Sequence, residues 1–190
     1  MTATIATRHR FGATALIREN ELIEGHEKSF LAHLMSGRTA CDEFFHRVSV
    51  DVLTVPHHRA ILDAIRDVYD ERDEINHVTV SNRLNDKGKL AECGSIPGVI
   101  EVALSTTSAE IAESALICML EAYRAREAAK ICKQHIAGEI ALERAVKELT
   151  KLSAHAREAL RPLIQFRSPL QLKKSSHHRP ASSSLVTATS

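Results

Sequence analysis

The strongest constraint on this chain is a seam running from residue 111 to residue 136. Ile111, Ala115, Cys118, Ala122, Ala125, Ala129, Cys132 and Ile136 alternate spacings of four and three. A repeat of that kind keeps one face of an α-helix turned toward a partner helix over many turns. Most of these side chains are small, so a partner backbone can approach closely. A second stripe of Leu116, Leu120, Tyr123 and Ile131 lies beside the seam. Thr107 or Ser108 can cap the start of this helix, and Gly138 breaks it. A second helix then carries Leu142, Val146, Leu149, Ala156, Leu160 and Leu163, again at spacings of three and four or multiples of them. Pro162 is expected to stop it. Residues 106–163 therefore read as a helical hairpin with apolar surface on both sides. Such a hairpin must pack on the rest of the chain, on another copy, or on both.

The remainder is helical too. Gly and Pro are few, at 7 and 5 of 190 residues, while Ala, Leu, Glu, Arg and Ile are plentiful. Residues 21–105 read as a compact globule. Its first helix spans Glu24 to Met35 with an apolar stripe of Phe30, Leu31, Leu34 and Met35, ended by Gly37 as a C-cap. A short helix over Cys41 to Val48 follows. A third begins at Pro56 and turns Ile61, Leu62, Ile65, Val68 and Tyr69 to one side. Asp70 to Glu74 is a charged turn, and Thr79 is the expected cap of a helix that Gly88 closes. Cys93-Gly94-Ser95 is a turn before a last short helix from Pro97. Residues 1–20, with Arg8, Arg10 and Arg18 and no acid before Glu19, read as a flexible arm rather than a transit peptide. Residues 164–190 read as a linker and a disordered tail. The fold class is all-α: a small helical globule followed by a long antiparallel hairpin.

Composition excludes several functions. Basic and acidic residues number 25 and 24, which argues against a protein that grips DNA through a basic field. There is no Trp and few other aromatics, so a stacking platform for single strands is not expected. No apolar run approaches the roughly 18 residues of a membrane span. The cysteines are Cys41, Cys93, Cys118 and Cys132, with no Cys-x-x-Cys pair. They read as reduced thiols of a cytoplasmic protein, with Cys118 and Cys132 as small buried hydrophobes.

No chemistry emerges from the motifs. A phosphate-cradling Gly-x-x-x-x-Gly-Lys-Ser/Thr loop needs two glycines five apart, and no two of the seven have that spacing. No ATPase activity and no cofactor are expected of this chain. His57 and His58 point about 100° apart around a helix and are poorly placed to share a metal. Asp70, Glu71, Asp73 and Glu74 read as a solvated turn, and no strand–turn–helix elbow frames a nucleophilic Ser. Basic residues such as Arg124, Arg126, Lys130 and Lys133 are interspersed with acids on the hairpin, the pattern of a solvated face.

The order of these segments resembles the N-terminal domain of DnaB-type replicative DNA helicases, over about residues 22–163. The opening helix EGHEKSFLAHLM is similar to that family's first helix. A Phe-Tyr-x-x-x-His-Arg-x-Ile-Phe signature is matched by His58, Arg59 and Ile61, with Leu62 in place of the last Phe and Leu53-Thr54 in place of the aromatic pair. Ile75, Asn76, Thr79 and Val80 match the next segment. Gly94-Ser95 stands for a Gly-Gly turn, Thr107-Ser108-Ala109 for the start of the long helix, and Tyr123-Arg124 to Ala128 for its Arg-containing stretch. The departures mark a divergent member.

The resemblance implies a domain without chemistry of its own. It implies self-association through the hairpin as a dimer, a trimer of dimers or a hexamer. It also implies docking of primase and a helicase loader, and contact with DNA only indirectly. ATP and Mg would belong to a motor domain following a linker near Phe166 to Leu170. There the chain instead reads KKSSHHRPASSSLVTATS, which resembles a shifted reading frame. Two other expectations compete: a truncated or frameshifted fragment of a full ATP-dependent helicase, and an unrelated helical dimerisation adaptor.

Overall fold

The structure is a computed structural model describing residues 20–105 and 108–166, with side chains as far as Ala154. The expected tail after Phe166, Thr107, and the expected arm up to residue 19 lie outside the described residues. Seven helices and no strand make up the described chain, so the fold is all-α.

Helix α1 covers residues 20–34 and begins before Glu24. It buries Phe30, Leu31 and Leu34 completely and Met35 almost so. The chain leaves α1 through a tight turn in which the amides of Ser36 and Gly37 donate to His33 and Leu34. Gly37 is thus not the C-cap of α1. It is the N-cap of α2 (Arg38–Phe44), because the tighter bonds have already closed the first helix. Two single 3-10 turns, Phe45–Arg47 and Val50–Val52, lead into α3.

Helix α3 (Pro56–Asp70) starts at its proline, where the missing N–H costs nothing, and buries Ile61, Leu62, Ile65 and Val68. Helix α4 (His77–Asp86) is capped by Asn76 and not by Thr79. The Asn76 carboxamide accepts from the Val78 and Thr79 amides, and the Thr79 hydroxyl accepts from the Asn76 amide in return. Both residues are good caps; the reciprocal box uses both, with the cap three residues earlier. Helix α5 (Ser95–Ala103) begins two residues before Pro97, which still falls in the first turn where its lost donor is harmless.

Helix α6 (Ala109–Ile136) is capped by Ser108, whose hydroxyl accepts from the Ile111 amide. Gly138 ends it at φ 75°, with its own amide donating to His135 and that of Glu139 to Gln134. That pair of bonds needs a left-handed residue, which glycine supplies without a Cβ clash. The chain reverses, and α7 (Leu142–Phe166) packs back along α6. Pro162 does not stop α7, which continues to Phe166. Proline fixes φ at about −65°, a helical value, so it removes one hydrogen bond without ending the helix.

One core joins α1 to the first half of α6. Phe30 meets Phe44 edge to face at 5.8 Å, and Leu53, Ile65, Leu84, Val99, Leu116 and Met119 close round them. Lys28 ties α1 to α5 through Glu101 at 3.0 Å. Among the described residues no helix is long and apolar enough to cross a membrane.

Candidate assembly surface

The signature residues of the third helix form a joint. Glu27 of α1 and His58 of α3 are both fully buried, 2.8 Å apart at His58 Nδ1. A carboxylate only accepts, so Nδ1 carries the shared proton. The same carboxylate accepts from the Thr54 hydroxyl at 2.6 Å, from the Thr54 amide, and from the Val55 amide at 3.3 Å. Glu27 therefore caps the start of α3 from outside, at the end of the helix that favours negative charge. Burial pushes its carboxyl up, but the bonds from His58, Thr54 and Val55 outweigh burial and leave it below the usual carboxylate range. Thr54 stands where the family resemblance expects an aromatic, and its hydroxyl is what this network uses.

The joint extends to the hairpin. Arg59 Nε donates to the Leu53 carbonyl at 2.8 Å. Arg126 of α6 donates to the Val52 carbonyl, also at 2.8 Å. Burial lowers the Arg126 guanidinium from its ordinary value, and the Glu27 charge offsets part of this. Ile61 and Leu62 are fully buried beneath. Gly94, at φ 77°, starts α5 so closely that a Cβ on Gly98 would lie 2.1 Å from the Cys93 carbonyl. Of the signature residues, His58 and Arg59 thus fix the start of α3 beside the Val52 carbonyl that Arg126 reaches, Ile61 and Leu62 belong to the core, and Gly94 belongs to the start of α5.

Sequence reasoning missed Glu27 and Arg126. Glu27 had a signal: it lies three and four residues before Phe30 and Leu31, a carboxylate in register with a buried stripe. Arg126 had none, being one cation among many.

The hairpin presents a different surface. Leu116, Met119 and Leu120 face the globule, and Tyr123 packs half-buried beside them. The seam is split: at its start Ala115 joins the core of the globule, and only from Ala125 onward does it lie on the side turned away. Ala115 is buried, and Cys118 and Ala122 are half-buried. Ile111 is 41% exposed, Ala125, Ala129 and Cys132 are exposed, and Ile136 is 84% exposed. The expectation of a buried Cys132 is therefore not met among the described residues, none of which covers that side. At the tip, Leu142 and Val146 are also exposed, while Ala145 turns inward. The Leu116, Leu120 and Tyr123 stripe thus faces the globule, while Ala125, Ala129, Cys132 and Ile136 are left uncovered by the described residues.

His57 sits half-exposed with its ring 4.5 Å from that of His58, its pKa lowered by burial and then by His58. Burial, with Asp42 adding to it, pushes the Cys41 thiol up to about 12, and burial also raises Cys93. Asp70, Glu71, Asp73 and Glu74 are exposed. Among the described residues no group of three or more His, Cys, Asp or Glu is arranged to hold a metal.

Comparison with known proteins gives two findings. The model of the DnaB-like helicase N terminal domain family matches residues 20–117, just over half of the chain. A solved structure with a similar fold is the N-terminal domain of DnaB helicase from Mycobacterium tuberculosis. Its identity is 23% and its TM-score 0.56, over 68% of this chain and 95% of that one. No curated protein matches the sequence.

Proposed function

This chain belongs to the DnaB-like helicase N-terminal domain family, and from that premise we propose that it is an assembly and docking module of the DNA replication machinery. Its copies associate through the small-residue side of α6, first as dimers and then as a trimer of dimers or a hexamer. The module works in the cytoplasm, docks primase or a helicase loader, and meets DNA only indirectly. ATP and Mg serve a motor domain, not this one.

The observation that carries the reading is the exposure of Ala125, Ala129 and Cys132 on the side of α6 turned away from the globule. Small side chains in a heptad-like register let helices approach closely. The joint through Glu27, His58 and Arg126 gives the hairpin a fixed root, so that two copies can present the face in one orientation.

Ala129→Arg tests this. Ala129 is exposed in the single chain, so the substitution leaves the fold alone but places an unpaired charge in any seam interface. Sedimentation equilibrium should show self-association weakened by at least about 100-fold. An unchanged mass distribution would remove the seam from the assembly.

A further inference from the structure

Helix α7 carries an aliphatic face of its own. Ala145 is buried, but Leu142 and Val146 are exposed and Leu149 is half-buried. Large aliphatic side chains left in water at helical spacing mark a contact surface. Leu142, Val146, Leu149 and Ser153 follow one another at four, three and four residues. The uncovered part of α6 repeats those steps with Ala125, Ala129, Cys132 and Ile136. Laid antiparallel in that register, Leu149 sits on Ala129, Val146 on Cys132, and Leu142 meets Ile136 at the tip. Large side chains of one helix then fill the hollows left by small ones of the other.

Charge decides which helix of a second copy fits α6. Residues 124–133 hold Arg124, Arg126, Lys130 and Lys133 against a single acid, Glu127. A groove of about 500 Å³ beside Ala129 is lined by Arg126, Lys130 and Lys133, with Glu139 as its acid. Pairing α6 with another α6 would bring two such cation-rich stretches together, and like charges across an interface are costly. Helix α7 instead offers Glu143. Lys133 and Glu143 are both exposed, and neither has an ion-pair partner among the described residues. In the antiparallel register both fall between the Cys132–Val146 and Ile136–Leu142 layers.

We propose that a second copy docks its α7 face on the α6 seam, antiparallel, with Lys133 of one copy beside Glu143 of the other. This rests on the self-association proposed above and specifies which helices meet. A two-fold pair makes the contact twice, each copy giving one Lys133 and one Glu143.

The test is a charge swap, read by sedimentation equilibrium on the full chain. Both positions are exposed, so Lys133→Glu and Glu143→Lys should keep the circular dichroism of the wild type. Each variant alone sets like charges side by side and should weaken self-association by at least about tenfold. An equimolar mixture of the two restores opposite charges at every contact between them. It should associate within about threefold of the wild type. An α6-on-α6 pairing would instead make Lys133→Glu associate more tightly and leave Glu143→Lys unchanged. Either result overturns the proposal, as does a mixture that associates no better than its components. Ala129→Arg separates this pairing from the reading beneath it. Association lost in Ala129→Arg but not rescued in the mixture removes α7 as the partner and leaves the seam standing. Association untouched by Ala129→Arg removes the seam and this pairing with it.

Discussion

The globule and the hairpin solve the same problem in different ways. Both are amphipathic helices with periodic apolar stripes. In the globule, the stripes of α1, α3 and α4 meet one another, and Phe30, Phe44, Leu53, Ile65 and Leu84 lose essentially all contact with water. In the hairpin, one stripe of α6 joins that core, while the other remains at the surface with Ile136, Leu142 and Val146. Burial of apolar area is worth about 25 cal/mol per Å², so an uncovered stripe forgoes stabilisation that a second helix pair can restore. The globule's sequence specifies contacts with itself; the outer hairpin leaves a face that, on the function proposed above, contacts another copy.

The contrast can be broken most sharply in the core. Phe44→Ala removes a fully buried ring and its edge contact with Phe30, and should cost about 3–5 kcal/mol in urea unfolding. Cys132→Ala, on the outer side of the hairpin, should change the stability of the dilute protein by less than about 0.5 kcal/mol. Comparable losses at the two sites would erase the distinction.

The joint between the regions should respond next. Glu27→Gln leaves His58 and the start of α3 without their carboxylate, at a cost of about 3 kcal/mol at neutral pH. The folded carboxyl titrates below its unfolded value. Its contribution is therefore complete above the unfolded pKa of about 4.3 and is lost as pH falls through the lower folded value. Wild-type stability should drop over that acidic window, and Glu27→Gln should lack this component. Parallel pH profiles for the two proteins would show that Glu27 titrates normally.

The smallest expected effect lies at the turn before α5. Ser95 adopts φ 58° and is exposed, with the strain a side chain incurs in the left-handed region. Ser95→Gly should stabilise the protein by about 0.5–1 kcal/mol, the strain relief exceeding the entropy that glycine adds to the unfolded chain. A lower melting temperature would contradict this account of the turn.

Much of this was legible beforehand because it is periodic. Phe30, Leu31, Leu34 and Met35, and Ile61, Leu62, Ile65 and Val68, recur at helical spacing and are buried as that spacing requires. Pro56 and Gly138 mark a start and an end by local backbone chemistry alone. The misreadings share a physical cause: local rules compete. Asn76 and Thr79 are both strong caps, and only the bond between their groups decides. Gly37 follows a helix and also precedes one. Pro162 carries a helical φ as well as a missing donor. The joint was the least legible part, because it links residues far apart in sequence: Glu27 with His58, and Arg126 with Val52. No local pattern singles out Arg126 from its charged neighbours. Periodicity also marked the seam as a face without saying what covers it, since an α-helix repeats identically whether its partner belongs to the same chain or another.

Hydrogen exchange at low and high protein concentration tests the central contrast most directly. Amides of α1 and α3 should exchange at rates independent of concentration. Those of residues 125–136 in α6, and of the facing part of α7, should gain protection as concentration rises. Hairpin amides whose protection is unchanged by concentration, like those of the globule, would contradict the account.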